Sequence, residues 1–271
     1  MFIFIQRDFD PKYTDWFTNS DLIEGFDYEF FKYDSTKRNE LAERVNDLPK
    51  RAMVFGGVHA VQFINKHRAV ERDRLHPCSL VPECVTNYDQ FLLNIPAKLR
   101  LNKSSFTLPA HSAFERAPAL YKALGTYFLR PASGYKPYEA EIIDTMKKAE
   151  AISCMLSTPH CHSEAKVIIC PVIWTINNET RFYVVDNQLV GSGVYRIERA
   201  LTDNMRGQIE SFCTNEVIPY MDNNMPHVRT YVVDVAQCGE EHGIVEFNAI
   251  CASGTYNADV IPEIISALQD M

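Results

Sequence analysis

The chain of 271 residues has no cluster or stripe of Lys and Arg: 27 basic residues stand against 35 acidic ones, for a formal charge of -8. Without a basic stripe the electrostatic term that drives nucleic-acid binding is missing, which argues against a nucleic-acid partner. Long apolar runs are missing too. The longest nearly uncharged stretch, Val167 to Ile176, is about half of the ~20 residues that a membrane span needs, so no membrane segment is expected and the stretch reads as a buried strand pair. At the N-terminus only Met1 to Ile5 are apolar before Gln6 and Arg7, too few for a signal-peptide core, so this segment reads as a first strand of a cytoplasmic protein. Eight cysteines without a secretory signal suit free thiols in a reducing compartment better than a disulfide framework. Neither low-complexity tracts nor internal repeats interrupt the chain, which is expected to fold throughout. No Lys-x-Asp-Gly string occurs, so no lysine is set up to be adenylylated as a nucleophile.

What is present is a soluble-globular composition, 46% hydrophobic and 23% charged. From residue 1 to about 105, apolar strands alternate with helical periodicity. Ala52 to Phe55 is a short apolar run ended by Gly56 and Gly57, then a helix with Val58, Val61 and Ile64 on one face. Such a Gly-Gly turn either presents backbone N–H groups to an anion or is a tight turn without a ligand. LNKSSFTLPA, around Pro109, suits a connection between lobes, giving an expected division into 1–105 and 106–271.

Beyond it, Tyr127 to Leu129 and Tyr138 to Ile143 read as a hairpin broken by Pro131 to Gly134, with Arg130 and Lys136 at its mouth. A bidentate guanidinium beside a point-charge ammonium can hold different oxygens of a polyphosphate; the alternative is a solvated hairpin with two surface cations. Phe182 to Val185 and Leu189 to Tyr195, joined by Asp186 and Asn187, form another hairpin, bracketed by Arg181 and Arg196. A polar helix is expected from about Asp203 to Glu216.

The last hairpin carries acids where valines are expected. In VRTYVVDVAQCGEEHGIVEFNAICASGTY two apolar segments flank a turn near Glu240. Centred there, the register sets Asp234 opposite Glu246, with Cβ atoms ~5 Å apart, and like charges so placed are destabilising. Either both acids face water or a divalent cation neutralises them. Period-two alternation puts Glu246 and Asn248 on one face, and a donor set of carboxylate and amide oxygens suits magnesium, not zinc.

In this order the parts resemble the ATP-grasp superfamily. FLRPASGYK is similar to its first phosphate-binding strand and flexible loop, and VVDV followed by VEFN to its metal-binding aspartate and Glu-x-Asn pair. More closely, NYDQFLLN, FLRPASGYK, ETRFYVVDNQLVGSGVYR and VEFNAICASGTY resemble the phage-associated clade named for an arginine-to-lysine exchange. The resemblance implies a fold of mixed α/β and α+β class: an N-terminal α/β lobe and two α+β lobes enclosing ATP. It also implies an ATP- and Mg2+-dependent carboxylate-amine ligase that forms an amide or peptide bond through an acyl-phosphate. By matching position, Arg130 and Lys136 would hold phosphates, while Asp234, Glu246 and Asn248 would hold magnesium. Ile169, Pro171 and Val172 match the strand and hinge that contact adenine, and Arg181 stands in the Glu-x-Arg position. Arg196 belongs to a Tyr-Arg pair near the acyl-phosphate, and Ser253, Gly254 and Tyr256 match a turn beside the reacting carboxylate. The usual lysine before the flexible loop is Arg130 here, and the loop is short.

The substrate expected is a small amino acid, a peptide or a protein tail, a homodimer is compatible with the sequence, and the host cytoplasm is the implied location if a phage encodes the chain. Rival readings are an ATP-grasp phosphotransferase and a non-catalytic module that binds nucleotide or a host protein. His160, Cys161 and His162 lack the paired spacing of a zinc site. Cys78 and Cys84 read as packed thiols, and the aromatics from Phe26 to Tyr33 as core or interface residues.

Overall fold

The computed structural model describes residues 1–19, 26–67, 75–79, 94–132, 139–154, 165–197 and 202–271; side chains 195–197 and 258 lie outside this description. The chain forms two compact units, Met1–Pro82 with Asn178–Asp234 and Phe247–Met271, and Glu83–Asn177 with Val235–Glu246. The expected division at residue 105 follows chain order, whereas these units interleave segments distant in sequence.

In the first unit, β1 (Phe2–Gln6), β2 (Asp27–Phe31) and β3 (Met53–Phe55) form a parallel sheet in the order β2-β1-β3. Parallel strands need crossovers, and α1 (Pro11–Asn19), α2 (Arg38–Asn46) and α3 (Val58–His67) lie between and after them. Alternation along β1 sends Ile3 and Ile5 into one core with Tyr13, Phe17, Met53 and Phe55, while Phe4 stacks on Phe31 across the other face at 4.3 Å. That same core takes in Tyr183, Val232, Ile250 and the apolar face of the C-terminal helix, Ile261, Ile264, Ile265 and Leu268. The N-terminal segment thus shares its hydrophobic interior with the last third of the chain.

A four-stranded sheet has the order β11-β10-β8-β9, from β8 (Asn178–Val185), β9 (Gln188–Ile197), β10 (Tyr231–Cys238) and β11 (Glu241–Asn248). The β8–β9 turn is Asp186–Asn187, with φ of 51° and 60°, the left-handed pair that a two-residue hairpin demands and that Asp and Asn tolerate. The helix expected from Asp203 runs to Phe212, passes through a π turn at Cys213–Val217 and continues from Ile218 to Asn224. Thr202 caps its start by accepting from the Met205 N–H at 3.3 Å.

In the second unit, β4 (Phe106–Pro109), β7 (Lys166–Pro171), β5 (Tyr127–Pro131) and β6 (Glu141–Ile143) pair antiparallel in that order. Tyr127, Leu129, Val167 and Ile169 face a core supplied by helices Ala110–Glu115, Ala117–Leu124 and Met146–Cys154. By alternation Arg130 stands on the other face of β5. The run Val167 to Ile176 is not a strand pair: β7 ends at Pro171, and residues 172–177 are irregular, with Trp174 66% exposed. Proline has no N–H with which to continue the ladder.

Gly243 on β11 is required by a close approach. A Cβ there would lie 2.2 Å from the Leu101 nitrogen, because Arg100 bridges Ile244 in parallel and Leu101 N–H donates to the Ile244 carbonyl at 3.0 Å. The six described cysteines are free thiols. His160, Cys161, His162 and Cys84 lie outside the described residues. Among the aromatics near β2, Phe31 is buried, Phe26 and Phe30 pack on the core, and Tyr28 is exposed.

His76 is fully buried between β3 and the C-terminal helix region, its backbone N–H donating to Ala52 and its Nδ1 accepting from the Cys78 N–H at 3.2 Å. Burial, with the Arg51 charge adding to it, lowers its pKa from 6.5 to about 4. The unfolded chain therefore binds the extra proton between pH 6.5 and 4, and stability falls as pH drops through that window. Relative to a His76→Gln variant, the wild type is expected to lose on the order of 2 kcal/mol more between pH 7 and 4, read from urea midpoints at each pH.

Candidate active site

Two acids of the last hairpin, Asp234 and Glu246, are each bonded to an arginine from another strand. In the first unit, Arg181 on β8 grips Asp234 on β10 with two parallel bonds, Nε to Oδ1 at 2.7 Å and Nη2 to Oδ2 at 2.6 Å. The side chains are 7% and 1% exposed. Burial pulls the guanidinium pKa down, but the hydrogen bonds and charge of Asp234 outweigh this and hold it above its ordinary value. The remaining nitrogen, Nη1, donates to the Gly254 carbonyl at 3.1 Å, and the Tyr256 ring lies 4.6 Å from the guanidinium carbon. Asn248 Nδ2 approaches Asp234 Oδ2 at 3.4 Å, so the amide and the carboxylate share a face.

In the second unit, Arg130 on β5 donates through Nη2 to Glu246 Oε2 on β11 at 2.6 Å, with 13% and 12% of the two side chains exposed. Cys170 lies near Arg130. Burial pushes its thiol up to about 11 against the pull of the Arg130 charge, so it stays protonated. The strands of the acidic hairpin end at Cys238 and resume at Glu241, which makes the turn Gly239–Glu240 instead of one centred on Glu240.

Arg181, Asp234, Asn248, Gly254 and Tyr256 are thus gathered in one unit, and Arg130 and Glu246 in the other. Ser253 is placed differently: its hydroxyl is buried and donates to the Ala249 carbonyl at 2.8 Å, a structural bond inside the turn. Of the expected hinge, Ile169 is buried in the helical core, and the Pro171 carbonyl accepts from Asn102 Nδ2 at 2.8 Å; Val172 follows in irregular chain. Arg196 stands opposite Glu179 across β8–β9, its side chain outside the description, and Lys136 lies outside the described residues. Sequence reading missed Tyr183, which donates to the Gly254 carbonyl, and Asp10, which accepts from the Thr255 N–H. The one trace of the latter is Asp-Pro at the start of a helical period, a capping signal that says nothing of a distant partner.

The donor set of Asp234, Glu246 and Asn248 is all oxygen, which fits a hard divalent cation. Among the described residues no three His, Cys, Asp or Glu side chains gather as a metal cluster. No helix among the described residues is long and apolar enough to cross a membrane.

Solved structures share the whole fold at low identity. A RimK-domain ATP-grasp protein from Sphaerobacter thermophilus superposes with a TM-score of 0.62 at 12% identity, covering 99% of this chain and 100% of that one. The D-alanine–D-alanine ligase of Bacillus anthracis, complexed with ATP, gives 0.62 at 12% over 100% and 97%. A RiPP-associated ATP-grasp ligase of Chryseobacterium gregarium, in complex with ADP and a leader and core peptide, gives 0.54 at 12% over 99% and 96%. No curated protein matches the chain. The family model for the ATP-grasp domain of the arginine-to-lysine clade, family 2, matches residues 113–263, a span that holds both arginine–carboxylate pairs, and the chain therefore belongs to that ATP-grasp family.

Proposed function

We propose that the protein is an ATP-dependent carboxylate–amine ligase. The observation that carries this reading is the pair of guanidinium–carboxylate contacts, Arg181 with Asp234 and Arg130 with Glu246. They set cations of the kind that bind phosphate against carboxylates of the kind that bind a hard metal, which supports this reading. A substrate carboxylate oxygen attacks the γ-phosphorus of ATP; the bond to the β–γ bridging oxygen breaks and ADP leaves. An amine then attacks the acyl carbon, loses a proton, and phosphate departs, leaving an amide.

In this chemistry Arg130 and Lys136 hold phosphate oxygens, and Arg181 and Arg196 stabilise charge on the transferred group. Asp234, Glu246 and Asn248 would hold magnesium, which when bound supplies charge neutralisation at the phosphoryl oxygens. Ile169, Pro171 and Val172 contribute the backbone of the adenine hinge. Gly254 and Tyr256 border the acceptor carboxylate, and Ser253 shapes their turn. An amino acid, a peptide or a protein tail would serve as substrate in a cytoplasmic reaction.

The test supplies ATP, magnesium and a mixed pool of amino acids and short peptides, with mass spectrometry of condensed products and chromatography of the spent nucleotide. ADP and phosphate formed in step with an amide are expected. AMP with pyrophosphate would refute the acyl-phosphate route, phosphate on a hydroxyl would mark a phosphotransferase, and no magnesium-dependent turnover would favour a binding module.

A further inference from the structure

Asp10 lies where β1 hands over to α1, 9% exposed, and its two oxygens serve different parts of the chain. Oδ1 accepts from the Lys12 N–H at 2.9 Å, and the Asp10 carbonyl from the Thr14 N–H at 3.2 Å, which together start the helix. Oδ2 reaches 245 residues along the sequence to accept from the Thr255 N–H at 2.7 Å. The other end of that same planar peptide is the Gly254 carbonyl, which accepts from Arg181 Nη1 and from the Tyr183 hydroxyl, each at 3.1 Å.

One peptide unit is therefore held between a carboxylate at its N–H end and a guanidinium at its C=O end. The field along it matches its dipole, and rotating it by half a turn would face carbonyl against carboxylate and N–H against guanidinium. Its orientation is fixed. Gly254 fits because a Cβ there would come within 3.2 Å of Asp10 Oδ2. One residue on, the Tyr256 carbonyl accepts from Lys12 Nζ at 2.6 Å, and the Tyr256 ring covers Arg181. Two of the contacts that orient Arg181, the Gly254 carbonyl and the Tyr256 ring, thus belong to a turn that the β1–α1 junction holds.

We propose that Asp10 is a positioning residue: by gripping the Thr255 N–H it sets the Gly254–Tyr256 turn, and through that turn the Nη1 side of Arg181, for the group-transfer step. This rests on the ligase reading for its chemistry but not for its geometry. ADP lacks the transferred phosphoryl group on which Arg181 acts in that reading, so the turn affects the chemical step and not ADP affinity.

The experiment compares Asp10→Ala and Asp10→Asn with wild type in the full chain. Three readouts are taken: exchange of the Thr255 amide by NMR, affinity for ADP with magnesium by calorimetry, and kcat and KM for ADP release with the amino acid and peptide pool. In Asp10→Ala, Thr255 exchange should quicken at least about tenfold, ADP affinity should stay within about twofold, and kcat should fall at least about tenfold through misplacement of the turn. Asp10→Asn keeps one oxygen acceptor where two N–H groups donate, and should restore protection and kcat in part, to values between those of Asp10→Ala and wild type. Unchanged Thr255 protection in Asp10→Ala would overturn the clamp, and lost protection with unchanged kcat would overturn its role. Loss of ADP affinity in step with protection would mark a general structural effect and also overturn the proposal. Should wild type turn over nothing in the pool, the ligase reading fails by that result, and the clamp stands or falls on the exchange arm.

Discussion

Asp234→Asn is expected to lower folding stability by about 3–5 kcal/mol, although it exchanges one side chain for another of the same shape. The carboxylate takes two parallel bonds from Arg181 in a site that is almost free of solvent. An amide can accept only one of them and turns its own N–H groups toward the remaining donor, leaving the guanidinium with a buried and uncompensated charge. The simple repulsion argument from the hairpin gives the opposite sign, since there the loss of one acid relieves two like charges. Arg181 reverses it. Removing both partners, as Arg181→Met with Asp234→Leu, should recover most of the loss, because a well-packed apolar pair avoids the desolvation of both charges. Urea denaturation of the three proteins checks this, with phosphate release expected to vanish in both variants. A single variant within about 1 kcal/mol of wild type would mean that the ion pair does not hold the site together.

Arg130→Ala should weaken ATP binding roughly 10- to 100-fold, the value of a charge-assisted bond to phosphate, and adenosine binding by less than about threefold. Adenosine offers no anion for Arg130, so the ratio isolates the phosphate role. The substitution also strips Glu246 of its 2.6 Å partner, and a carboxylate without that neutralising charge would itself repel the nucleotide. The Arg130→Ala, Glu246→Gln double variant removes that repulsion. It should still show the contrast between ATP and adenosine, and Lys136→Ala should show it as well. Equal losses for both ligands in calorimetry would mean that the strand holds something other than phosphate.

Local chemistry made much of this molecule legible. The Asp186–Asn187 hairpin, the Gly56–Gly57 turn into a helix and the β5–β6 hairpin all follow from residues close in sequence, and the acids at 234 and 246 stand out against apolar strands. Their neutralisation did not follow, because the partners lie 53 and 116 residues away and nothing in the hairpin itself specifies them. Asp10 shows the same limit: a helix-capping aspartate is visible, its second oxygen is not. The strand pair expected at Val167–Ile176 failed at Pro171, where uniform apolarity concealed the loss of a backbone donor. Ser253 is legible only as part of a turn that matches the family pattern; its bond to the Ala249 carbonyl depends on burial that the sequence does not display.

The strip of backbone at Arg100–Leu101 that lies against Gly243 and Ile244 has a consequence for solubility. β11 is the outer strand of its sheet, and an outer strand offers unpaired amides and carbonyls to any other extended chain, the usual seed of aggregation. Here the Ile244 carbonyl is already taken by Leu101, and beside it Lys103 pairs with Glu241 at 2.9 Å, placing charge on the rim. The missing side chain at Gly243 lets the cover lie flat, so a larger residue there would lift it and open a sticky edge on β11.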